Sequence, residues 1–408
     1  MKKVPAIGII MFFLLFPTYM PTYLYQFLGL VSLVSLIRYG ILIFCFFSLL
    51  YKKKNISLTG WLVILSYVLV CISTYLSPTG EFDTYIRITI RGLSLVLLFE
   101  WGMKRNARVF LQTSLLMLEI IIYLNFITVI LFPDGLYNSG AYSTNYLMGY
   151  HNTFIRWQIP ALAISCILSF MKKKRISVRT WLLYMCVLLT NLLVKSSTGI
   201  IGAIIFGIGM FLITGKNSKK SNRLNKKIFT IETMIITSIS GSIVVIGTIW
   251  GAMSFGILQI VLDFFGKNST MSGRFYIWTS SIELIIKNFI WGYGYESADI
   301  ISMKYVGKVG FATSAHNFWL ELLYQGGIVL LTVVLIIFLV IRSKINKLTV
   351  NSISCIIGLW FITIGVMGIT EPQYGNYLII AWIICGNIDQ LFKRDKKIRI
   401  RSYNGKEK

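Results

Sequence analysis

The chain has 408 residues, of which 56% are hydrophobic and only 13% charged, and its mean hydropathy is +0.72. A soluble globule carries about 25% charged residues, so that class is excluded and a multispanning membrane protein remains. The formal charge of +25 does not point to nucleic acid. The basic residues sit in short clusters between apolar runs of membrane-spanning length, where they act as topology signals.

In chain order, twelve apolar segments each approach the ~20 residues needed to cross a bilayer. They lie near 4–21, 27–50, 58–76, 86–103, 109–132, 157–171, 180–195, 199–214, 229–254, 317–341, 349–370 and 376–392. Met1-Lys2-Lys3 ahead of the first run has the look of a signal peptide, but no small-residue cleavage site follows, which predicts an uncleaved first span. Basic clusters follow every second segment: Lys52 to Lys54, Lys104 with Arg105 and Arg108, Lys172 to Arg175, Lys216 to Lys227, Arg342 to Lys347, and the tail from Lys393. By the positive-inside rule this side is the cytoplasm, and both termini lie in it. The whole of 1–408 therefore reads as one all-α polytopic membrane domain of about 12 transmembrane helices in the cell membrane. A large outer loop, 255–316, joins helices 9 and 10.

Within that loop, 255–265 and 276–291 are apolar but interrupted by Gln259, Asp263, Glu283 and Lys287, a pattern that predicts helices lying along the interface. The competing reading makes one of them a further span or a re-entrant helix. The six cysteines, Cys45, Cys71, Cys166, Cys186, Cys355 and Cys385, all fall in apolar runs without CxxC spacing. Neither a disulfide framework nor a zinc site is predicted.

The polar novelty is concentrated in outward connections. Both histidines, His151 and His316, fall there, with Arg156, Lys195 and Arg274. Spans that run inward present free N–H groups and a positive dipole end to the outside, which attracts phosphates. Three such ends carry polar clusters: His151-Asn152 with Arg156, Ser196 to Gly199, and Ser314 to Asn317. Arg274, the Gly292-Tyr293-Gly294 turn and the His316-Asn317 pair make a site suited to an anionic substrate.

The order Gly273-Arg274, Trp278, Gly292-Tyr293-Gly294, Ala315-His316-Asn317, Leu320, Gly326-Gly327 resembles the integral-membrane O-antigen and capsular-polysaccharide polymerases of the Wzy type and the related O-antigen ligases. The resemblance is close over 272–327 and loose over the remaining spans. Gly149-Tyr150-His151-Asn152 is similar to a feature of the capsule-polymerase branch. Ser196 to Gly199 stands where the ligase branch usually carries a Ser-Arg pair, and here no arginine stands there.

The resemblance implies a metal-independent, inverting glycosyl transfer without cofactor on the outer face of the membrane. The chain would polymerise undecaprenyl-diphosphate-linked oligosaccharide repeat units into capsular or O-antigen polysaccharide. Its partners would be the lipid-linked oligosaccharide, membrane lipids, a chain-length regulator and a flippase, with no nucleic acid. The leaving group is already a diphosphate, so the enzyme needs cations for its charge and a base for the acceptor hydroxyl. Arg274 suits the first task because a guanidinium grips phosphate oxygens bidentately; Arg156, Arg87, Arg91 and Lys195 are further candidates. Arg156 or Lys195 would replace the missing second arginine, while Arg87 and Arg91 share a helix face at i, i+4 spacing. Bland readings are headgroup snorkelling for the arginines, or pairing of Arg87 and Arg91 with Glu81 or Asp83. His316 reads as the base, against the bland reading of a solvated interface histidine. Asn317, His151, Asn152, Tyr293 and Glu321 support it, and Tyr293, Trp278 and Trp319 suit sugar stacking or an interfacial belt. No Asp or Glu pair stands at a glycosidase-like spacing, which disfavours hydrolysis.

Two alternatives remain. An O-antigen ligase-type glycan transferase would join a finished glycan to a different acceptor. A lipid-linked oligosaccharide flippase would place its charges within the spans and show related halves, whereas here Arg38 and Glu119 are among the few charges deep in a span.

Overall fold

The computed structural model describes residues 6–51, 55–139, 144–214, 219–249, 274–305, 312–348 and 351–392. It is 80% helical. The helices are α1 (Ala6–Tyr19), α2 (Leu28–Tyr51), α3 (Leu58–Leu76), α4 (Phe82–Leu131), α5 (Ile155–Lys173), α6 (Val178–Leu193) and α7 (Ser197–Thr214). The short α8 (Lys219–Ile228) follows, then α9 (Ile231–Ile249), α10 (Arg274–Lys287), α11 (Ala298–Lys304), α12 (Phe318–Asn346), α13 (Asn351–Met367) and α14 (Asn376–Gly386). Among the described residues six helices, α2, α3, α4, α5, α7 and α12, are long and apolar enough to cross a membrane; α1, α6, α9, α13 and α14 are apolar but shorter. Among the described residues the strands are limited to a small hairpin, Asn145–Tyr146 against Gly149–Tyr150, which the sequence reading did not anticipate.

Helix α4 covers two predicted spans. Fifty residues of straight helix would run ~75 Å, but at Asn106 the backbone leaves helical geometry (φ −163°, ψ 83°). Gly102 lies against the Phe110 ring, and the rings of Phe99 and Phe110 meet edge-on at 5.0 Å. Residues that far apart cannot touch in one straight helix, so the chain folds back. Asn106 accepts from the Val109 N–H at 3.4 Å and so caps the second half.

Exposure separates outer from inner helices. α2 presents Leu33, Leu36, Phe44, Phe47 and Leu50 outward, the face expected toward lipid. In α14 every residue from Tyr377 to Gly386 is buried, as a helix apolar all round must be.

The predicted outer loop is described only in part: 255–265 and Gly273 lie outside the described residues. Helix α10 has 14 residues, ~21 Å at 1.5 Å per residue, short of the ~30 Å hydrocarbon core. It buries Ile277, Trp278, Ser281 and Ile285 and packs along α12.

The two glycine signatures form one joint. Helix α12 breaks at Gly327 (φ 57°, ψ −159°), and the carbonyls and N–H groups freed there are taken by residues 289–294. Tyr293 N donates to Tyr324 O at 2.7 Å, Gly294 N to Gln325 O at 2.9 Å, and Ile328 N to Phe289 O at 2.9 Å. A Cβ on Gly327 would strike the Ile290 carbonyl, and one on Gly294 the Thr74 backbone. Both positions also have positive φ, so glycine is required twice over.

Candidate active site

Side chains from three elements converge on one carboxylate. Glu371, in the turn after α13, meets Arg274 at the start of α10 with Nη2 2.5 Å from Oε1. Arg156, in the first turn of α5, approaches the other oxygen at 4.0 Å, and His316 Nδ1 lies 3.5 Å from that same oxygen. At 3.5 Å the His316 approach is longer than an ordinary hydrogen bond, and Nδ1 makes no closer polar contact. The Arg156 guanidinium also lies 5.7 Å over the Tyr377 ring, a cation–π arrangement that fixes its direction.

The backbone around His316 is built to hold it. His316 is in the left-handed region (φ 47°), a cost accepted at few non-glycine positions outside sites. Next to it, Asn317 caps α12: its side-chain oxygen accepts from Trp319 N at 3.0 Å and Leu320 N at 3.1 Å, while its amide donates to Ser242 Oγ and Ile369 O. Phe318 N donates to Gly368 O at 2.8 Å. The start of α12 is thereby laced to the turn that carries Glu371. Trp278 Nε1 donates to the His316 carbonyl at 3.3 Å, and Glu321 accepts from Ala315 N at 2.8 Å and from Gln325 at 2.6 Å. Glu321 therefore shapes the loop that presents His316.

Charge at the cluster is unbalanced. Two arginines and a histidine face Glu371, with the carboxyl of Glu321 also within electrostatic reach of His316 and Arg156. Burial alone would raise the Glu371 pKa, but the His316 contact and the charges of Arg274 and Arg156 outweigh it and hold the group down at about 2. Glu371 is therefore ionised, and an excess of cation remains beside three helix N-termini, those of α5, α10 and α12. An anion entering here would meet the arginine charge and the positive ends of the helix dipoles together. The side chains of Arg156 and His316 are 26% and 24% exposed, so the cluster is reachable from one side.

Other predicted residues lie elsewhere. His151 stands in the short turn His151–Thr153 with its ring 4.2 Å from that of Tyr150. Asn152 accepts from Ser196 Oγ at 2.8 Å, and Ser196 in turn caps α7 through Gly199 N. Lys195 is the left-handed residue (φ 52°) that ends α6, and it is exposed. Arg87 donates to Thr84 on the surface of α4. Arg91 lines a separate cavity of about 230 Å³ with Arg38, Tyr25 and Asn376. Tyr293 stacks on Tyr324 at 5.3 Å, and Lys304 lies 4.0 Å from its ring centre. Trp319 donates to Ser238 and is buried.

Sequence reasoning missed Glu371. A signal was there: it is the only acidic residue between Glu321 and Asp389, and Pro372 after it fixes it outside a helix.

These features define a polytopic α-helical membrane protein with an anion-receptive histidine–arginine–carboxylate site. Residues 182–335 match the family model Wzy_C, described as O-antigen ligase, which supports membership of the O-antigen ligase/polymerase family of glycosyltransferase-like enzymes. The match contains Arg274, His316 and both glycine signatures; Arg156 and Glu371 lie outside it. No curated protein and no solved structure matches the chain.

Proposed function

We propose that the chain polymerises lipid-diphosphate-linked oligosaccharide repeats by inverting, metal-independent glycosyl transfer. It would do so in a twelve-span fold with both termini cytoplasmic and the Glu371 cluster on the outer face. The observation that carries this reading is the convergence of Arg156, Arg274 and His316 on Glu371. Glu371 faces Nδ1 of His316, which leaves Nε2 to accept the proton of the acceptor hydroxyl. That oxygen bonds to the anomeric carbon while the bond to the diphosphate breaks, and the diphosphate leaves with the electron pair. Arg156, the looser of the two arginines, receives the developing charge with the spare N–H groups of Arg274.

A second reading, a ligase, is favoured by the description of the matching family. Purified protein given one lipid-linked repeat separates the two. A polymerase yields a ladder unaided, whereas a ligase yields product only with a different acceptor, and that result would replace the proposal. Orientation has its own test. In a background lacking the native cysteines, Met303→Cys, exposed on α11, should react with an impermeant thiol reagent on spheroplasts and Arg175→Cys should not. Reversed labelling would place the cluster in the cytoplasm.

A further inference from the structure

At the far end of α5 from Arg156 lies a second polar cavity, which the reaction above does not use. Ser169 and Lys172 are 13 and 16 residues beyond Arg156, ~20–24 Å along the helix. The cavity has a volume of about 340 Å³ and is walled by α4, α5 and α6. Three cations from three helices line it: Arg108 just past the Asn106 turn, Lys172 at the end of α5, and Arg179 in the first turn of α6.

Its floor is hydroxylated. Ser165 and Ser169 stand one helical turn apart on α5. Ser165 meets Thr180 at 2.7 Å, and Ser169 meets both Thr180 and Ser177 at 3.0 Å. Arg179 is anchored by Glu119, its Nε 2.8 Å from Oε1 and 3.0 Å from Oε2, yet its side chain remains 58% exposed. One carboxylate thus stands against three cations. Basic residues that served only to orient the chain would spread toward the surrounding headgroups. Here they line a polar chamber large enough for a phosphate group, beside Leu115 of α4 and Leu168 of α5, which offer an acyl chain an apolar flank.

The geometry points to a binding site for a phosphate group carried on an anionic membrane lipid, held by Arg108, Lys172 and Arg179 over the Ser165–Ser169 hydroxyls. It does not rest on the reading of the Glu371 cluster. The charge-assisted contacts would come from the three cations and neutral donation from the serines, and the lipid would tie α4, α5 and α6 together at this end.

The test is native mass spectrometry and thermal denaturation of the full-length protein in neutral detergent, with added phosphatidylglycerol, phosphatidylcholine or inorganic phosphate. Phosphatidylglycerol should be retained and stabilising, phosphatidylcholine should not, and inorganic phosphate should compete weakly. Arg108→Gln/Lys172→Gln should weaken phosphatidylglycerol binding by about 10- to 30-fold, the loss of two headgroup-facing charges. Arg108→Lys/Lys172→Arg, which keeps the charge, should retain it. Arg105→Gln/Arg175→Gln removes the same charge from exposed positions nearby that do not line the cavity, and should leave binding within twofold. Equal weakening by the two neutralising pairs would show only diffuse attraction and overturn the site. Equal retention of the two lipids would do the same. Saturation by inorganic phosphate with no preference for phosphatidylglycerol would assign the chamber to a soluble phosphate and overturn the lipid assignment.

Discussion

Glu371 and Glu100 are both buried carboxylates that join distant parts of the chain, yet they are built differently. Glu100 is fully buried and takes Lys104 Nζ at 2.5 Å, Ser57 N at 3.1 Å and Asn387 Nδ2 at 2.9 Å, with the Ser57 hydroxyl as a further donor. One charge meets one charge, and neutral donors complete the shell. Glu371 instead faces two arginines and a histidine whose side chains are partly open to the outside. A balanced, closed carboxylate is a structural joint between α3, α4 and the segment after α14. One with surplus cation around it keeps the capacity to bind an anion. The contrast separates scaffold from site more clearly than burial does.

The largest effect expected from breaking this contrast is at His316. His316→Ala should lower chain elongation by about 10²- to 10⁴-fold, the range a positioned base supplies, with expression and membrane insertion unchanged. His316→Gln, which hydrogen-bonds but cannot take the proton, should fail as well. Near-normal elongation by the Gln variant would reduce His316 to an orienting role. Next comes Arg274→Lys, where a point charge replaces a planar fork that spans Glu371 and the incoming diphosphate. Turnover should fall on the order of 10²- to 10³-fold, and a lysine variant with normal turnover would show that only positive charge is needed.

The scaffold side of the contrast predicts the opposite phenotype. Glu100→Ala leaves Lys104 beside a buried polar joint, and loss of one partner of a buried pair costs about 3–5 kcal/mol. Thermal stability should drop while turnover per folded molecule stays within a few-fold. A smaller effect concerns acid. Glu371 is held at about 2, below its ordinary 4.5, so as pH falls the unfolded chain binds the proton first. The stability it contributes is complete above about pH 4.5 and drains away toward pH 2. Glu371→Gln should flatten the fall in denaturation midpoint between about pH 5 and pH 3; an unchanged slope would mean that other groups set it.

Much of the fold is legible in the sequence, because apolar length and basic clusters write helices and their ends directly. The predicted connection at Lys104 to Arg108 is the turn at Asn106, and within the polar cluster Ser314 to Asn317 it is Asn317 that caps α12. Gly292 to Gly294 was legible as a turn but not as the partner of Gly327, since nothing local reveals that it repairs the break there. The site was half legible. Arg274 and His316 stand in a recognisable order, but Glu371 lies 97 residues from Arg274, in a connection that spacing alone cannot bring to it. Tyr293, read as suited to sugar stacking, packs against Tyr324 and Lys304, a matter of packing that its position in a glycine turn does not disclose.

The central claim is that Glu371 organises a reaction centre and Glu100 a joint. The most direct measurement puts Glu371→Gln and Glu100→Gln side by side, scoring elongation of a lipid-linked repeat per folded molecule and the thermal denaturation midpoint of each. The account predicts that Glu371→Gln loses elongation per folded molecule by about 10²-fold or more, beyond any fall in its midpoint at neutral pH, while Glu100→Gln lowers the midpoint and elongates normally. Full elongation by Glu371→Gln, or an equal loss of elongation in both variants, would contradict it.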